Sequence, residues 1–133
     1  MNKNISRVLM GALGALVLAG TQTGVSYADG ANIRAIPALV TGEAGGAAEF
    51  KPYGEHLYIE DNVADGNSIV AHMQYGSKDQ WWFNHDGSGT TRHLDFDITD
   101  GTAVHLAACR GNWGGSVEDS EIFACGLWKH TTA

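Results

Sequence analysis

The chain has 133 residues, with fifteen Asp and Glu against eight Lys and Arg, and only two cysteines. A net charge of −7 argues against nucleic acid and anionic membrane surfaces as partners. No heptad pattern, internal repeat or convincing helical periodicity follows the N-terminal apolar run, which excludes coiled coils and solenoids.

Residues 1–28 have the features of a secretory signal peptide. Lys3 and Arg7 give a positive start, and Val8 to Gly20 is an apolar run of thirteen residues. A membrane span needs about 20. Ser26-Tyr27-Ala28 places small residues where signal peptidase cuts. A single uncleaved anchor helix is the alternative. No cysteine follows the run, so a lipid anchor is not indicated. Removal of Lys3 and Arg7 leaves six basic residues against fifteen acidic, a net charge of −9. The expected product is secreted and extracellular, free of the membrane once the signal is cut. About 105 residues remain, enough for one domain burying roughly 65% of its unfolded surface. Two cysteines in an exported chain predict a disulfide between Cys109 and Cys125 rather than a metal pair.

Residues 29–48 form an expected flexible N-terminal segment, with one edge strand broken by Pro37 and a linker-like GEAGGAA at 42–48. Residues 49–133 form the expected β-domain. Leu57 and Ile59 share one face of EHLYIED. Ile69, Ala71, Met73 and Tyr75 share one face of NSIVAHMQYG. QWWFN at 80–84 is a short aromatic strand followed by a turn.

Leu94, Phe96 and Ile98 then alternate with His93, Asp95 and Asp97. Val104, Leu106 and Ala108 alternate with His105, Ala107 and Cys109. A two-residue turn at Asp100-Gly101 would pair Asp97 with Val104 and Asp95 with Leu106, setting carboxylates among core aliphatics. Either the loop has three residues or the chain crosses to a second sheet. The crossing is preferred because both apolar faces can then enter one core. Direct pairing of Cys109 with Cys125 would set Leu106 opposite an inward Trp128 and Ala108 opposite Gly126. The disulfide would lie on the outer face beside Leu127. The expected fold is all-β: a small two-sheet antiparallel sandwich of six or seven strands with one disulfide.

The order DNVADGNSIVAHM, WFNHDGSGT, LDFDITDGTAVHLAAC and ACG resembles a group of small secreted actinobacterial β-proteins across most of residues 55–126. The resemblance implies export and a β-fold and assigns no site. LDFDITDGTAVHL also resembles the strand–corner–strand passage of immunoglobulin-like and fibronectin type III sandwiches. That passage commonly carries a tyrosine where His105 stands, and such likeness is at fold level only.

Three sets of residues are candidate sites. Asp61, Asn62, Asp65 and Asn67 offer oxygen ligands to Ca²⁺ from one loop, although turn chemistry alone explains them. His93, Asp95 and Asp97 share a strand face, but alternate residues on one strand stand about 6–7 Å apart and chelate poorly. The expectation for both is therefore no metal and no cofactor. Trp81, Trp82 and Trp113 offer flat apolar faces, and glycines around Trp113 leave it little local packing. No serine lies in a G-x-S-x-G context, both cysteines are tied up, and no nucleophile–base set is legible. The chain is therefore expected to be non-catalytic. It is expected to bind an extracellular protein at a surface, or alternatively cell-wall glycan as a small carbohydrate-binding module. A secreted enzyme or inhibitor is the weakest reading.

Overall fold

The computed structural model describes residues 30–133, so the signal region lies outside the described residues. The alternating runs become strands β1 Ile33–Ala35, β2 Gly46–Lys51, β3 His56–Asp61, β4 Ser68–Tyr75, β5 Lys78–Asn84, β6 Thr90–Asp95, β7 Ala103–Asn112, β8 Glu121–Phe123 and β9 Lys129–Thr132. They form two antiparallel sheets. The first has the order β1-β2-β3-β6; the second has β5-β4-β7, with β8 and β9 both on the far side of β7. The all-β two-sheet architecture and the Cys109–Cys125 disulfide are as expected. Among the described residues there are nine strands rather than six or seven, because β1, β8 and β9 are only three or four residues long.

The chain crosses between sheets after β6, which keeps Asp95 and Asp97 out of the core. Phe50, Leu57 and Ile59 from the first sheet meet Ile69, Met73, Val104 and Leu106 from the second, all fully or almost fully buried. Each such side chain contributes roughly 1.5–3 kcal/mol through the surface it removes from water. The small residues at the start of β2 are buried strand rather than linker, and Ala48 belongs to this packing. Ala47 and Ala48 are buried, and a Cβ on Gly46 would lie 2.0 Å from the Glu60 carbonyl oxygen. Small size there permits close backbone approach.

A second, smaller cluster lies on the outer face of the second sheet. Val70, Phe83 and Cys109 are buried there beneath Val117 of the β7–β8 connection and Ile122 of β8. The disulfide is therefore on the outer face, as expected. The register around it is not uniform. Arg110 pairs with Phe123, and Leu106 pairs with Lys129. Five residues, 124–128, thus stand against three, 107–109. Ala124 takes the slack at φ 52°, and the amide of Gly126 donates to the Ala108 carbonyl. The slip moves Trp128 to the outer face, where its ring lies 4.7 Å from that of His72. The expected inward Trp128 is corrected by the rule that a one-residue shift reverses a face.

Asn84 ties the sheets together. It is fully buried on β5, and its Nδ2 donates to the carbonyl oxygens of Ile59 on β3, 3.0 Å, and Thr90 on β6, 3.1 Å. Its Oδ1 accepts from the Asp86 amide. Asn84→Ala is expected to cost about 2–3 kcal/mol, because buried partners lose their bonds while water stays excluded. Urea denaturation checks this, with the midpoint falling and the slope unchanged.

Candidate functional site

Proline at position 37 cannot donate a ladder hydrogen bond, so β1 stops short and the chain leaves the sheet. The segment after it runs beside the irregular stretch between β8 and β9. The Ala38 amide donates to the Ala124 carbonyl at 2.8 Å. Gly126 approaches the Ile36 carbonyl so closely that a Cβ there would sit 1.9 Å from the oxygen. Between these two segments lies a groove of about 440 Å³. Ile36, Leu39 and Leu127 line it with Cys125 and Gly126, and Lys129 adds a positive charge. Leu39 is 64% and Leu127 80% exposed. The sequence reading placed Leu127 near the disulfide but missed its neighbours. The signal available was the aliphatic run Ile36 to Val40, which proline keeps from becoming a buried strand.

The three candidate tryptophans go to different places. Trp82 faces the core side, half-buried, and packs edge-on against Phe96 at 5.2 Å. Trp81 lies on the outer face and stacks on His72 at 3.5 Å. Trp113 stacks on His85 at 4.4 Å and leans on Phe83. Its glycine neighbours do not leave it unpacked, because partners come from β5 and the turn after it. Trp81 and Trp113 have separate ring partners, and each has one face covered by an imidazole. The structure thus brings Trp81 together with Trp128, through His72, rather than with Trp113.

In the acidic loop, Asp65 spends both oxygens within the protein. Oδ1 accepts from the Asn67 amide, and Oδ2 pairs with Arg110 at 2.7 Å. The buried guanidinium of Arg110 also donates to the Glu43 carbonyl. It supplies the positive charge that a calcium ion would bring. Asp61 accepts from the Val63 amide, and burial pushes its carboxyl above the usual range. Nearby, Arg34 on β1 reaches across β2 to Glu60 on β3 with two 2.9 Å bonds, which hold the Glu60 carboxyl below its ordinary value.

His93 and Asp95 stay together on the outer face of β6, but Asp97 does not join them. The strand ends at Asp95, and Asp97 lines a hollow with Tyr75 and Lys78. The third member is His56, the first residue of β3. Cross-strand register places His56 opposite Asp95 and Tyr58 opposite His93. His56 Nδ1 is 2.9 Å from His93 Nε2 and 2.5 Å from Asp95 Oδ1, and His93 Nε2 is 3.1 Å from the same oxygen.

Neither protein-family models nor curated proteins nor solved structures give a significant match to this chain.

Proposed function

We propose that the chain is an exported, non-catalytic binding protein. In this reading the groove lined by Ile36, Leu39 and Leu127 receives an apolar segment of an extracellular partner protein. One observation carries it: the three exposed large aliphatic side chains among the described residues all line this one groove. Scattered exposed aliphatics are ordinary on a protein surface, whereas contiguous ones mark contact sites. The wall of the groove is tethered by the disulfide and by the Ala38–Ala124 hydrogen bond. Pre-organisation of that kind lowers the ordering cost of association.

The test is the double variant Leu39→Asp, Leu127→Asp, compared with wild type for capture of proteins from the producing cell's surface and medium. Both side chains are exposed, so the melting midpoint should stay within a few degrees. Capture of the partner should weaken about thirtyfold or more, the change that about 2 kcal/mol of interface energy produces. Equal capture by both proteins contradicts the groove as the contact site.

A further inference from the structure

We infer that His56, His93 and Asp95 form a binding site for a borderline divalent transition-metal ion, Zn²⁺ being the ion to test. One strand alone cannot present such a set. Two paired strands do, because β3 and β6 are antiparallel neighbours in which His56 faces Asp95 directly and His93 lies two residues along on the same face.

The donor atoms converge to spacings suited to an ion. Two ligands bound at about 2.1 Å stand about 3.0 Å apart at a right angle and about 3.4 Å apart in a tetrahedron. The nitrogen–nitrogen separation here is 2.9 Å, and His93 Nε2 to Asp95 Oδ1 is 3.1 Å. The remaining edge is 2.5 Å and opens by rotation of Asp95, whose side chain is 67% exposed. The same convergence is poorly served by protons. His56 Nδ1 has at most one hydrogen, and it faces an imidazole nitrogen and a carboxylate oxygen at once. A cation engages the lone pairs of all three atoms.

The rings are also held. Tyr58 stacks flat on His93, with centroids 4.6 Å apart and planes 7° from parallel. Gly54 leaves room for the other imidazole: a Cβ there would lie 2.6 Å from His56 Nε2. Supports of this kind orient ligands and raise affinity. Lys51, opposite His56 on β2, has its ammonium turned over the Tyr58 ring at 5.3 Å. Two imidazoles and one carboxylate select Zn²⁺, Ni²⁺ or Cu²⁺ over Ca²⁺ and Mg²⁺, which demand oxygen-rich shells. Three protein ligands leave the remaining positions to water.

The experiment is calorimetric titration of Zn²⁺ into the tag-free, disulfide-bonded protein, with Ca²⁺ as comparison. His56→Gln, His93→Gln and Asp95→Asn are titrated alongside. His130→Gln is included because His105 and His130 form a second imidazole pair on β7 and β9. The expected result is one Zn²⁺ per chain and no response to Ca²⁺. His56→Gln and His93→Gln should each weaken binding about tenfold or more, with Asp95→Asn weakening it less and His130→Gln leaving it unchanged. Zn²⁺ should also raise the melting midpoint of wild type and not that of His93→Gln. Absence of Zn²⁺ binding to wild type overturns the assignment. So does binding that survives His56→Gln and His93→Gln, or that is lost in His130→Gln.

Discussion

Replacing Cys109 and Cys125 together by alanine should lower stability by roughly 3 kcal/mol, the constraint expected from cross-linking a loop of this length. The two residues are 16 apart in sequence. Local structure explains why the loss falls where it does. β8 and β9 are short, pairing three and four residues with β7, and the five residues between them make no continuous ladder. The disulfide pins that irregular stretch to the buried Cys109, which packs with Val70 and Phe83. Without it, amide exchange should accelerate first at residues 121–132, while β4, paired on both sides, stays protected. Guanidinium denaturation measures the global effect. An unchanged midpoint would mean that β8 and β9 hold the C-terminal region unaided.

Arg110→Ala is expected to cost a comparable amount, about 3 kcal/mol, the low end of what removing one partner of a buried ion pair produces. The Arg110 side chain is 4% exposed and that of Asp65 22%, so the stranded carboxylate regains part of its hydration. The guanidinium also closes the turn before β2 through the Glu43 carbonyl. It leaves no space at Gly45, whose added Cβ would sit 3.0 Å from the guanidinium carbon at a φ of 85°. Arg110→Met with Asp65→Asn should be milder than Arg110→Ala, since neither variant residue carries a charge and the aliphatic volume is kept. Equal loss in both would place the stabilisation in the guanidinium's own hydrogen bonds, such as that to the Glu43 carbonyl, rather than in aliphatic packing or the stranded charge.

Strand identity was legible from alternation alone, and the crossing between sheets from the carboxylates that a tight hairpin would have buried. Register between distant segments was not. The reading of one continuous C-terminal strand failed by one residue in each direction, because nothing in ACGLW marks Ala124 for a positive φ, a conformation usually left to glycine or asparagine. The same limit hid His56. Its partners on β6 are more than thirty residues away, and only the pairing of β3 with β6 brings them into reach. Gly46 to Ala48 looked like a linker because small residues serve flexible chains and tight backbone contacts equally well. The groove escaped notice because it is built from two segments outside any strand, where periodicity carries no information.

Site-specific photo-crosslinking tests the proposed binding role most directly. A benzoylphenylalanine at position 127 places the reactive group in the groove, and one at the 85%-exposed Tyr53 serves as control. Irradiation in the presence of the producing cell's surface proteins should give one discrete adduct from position 127 and none from position 53. Identical adduct patterns from both positions, or no adduct from position 127, would contradict the assignment of the Ile36, Leu39 and Leu127 groove as the partner-binding surface.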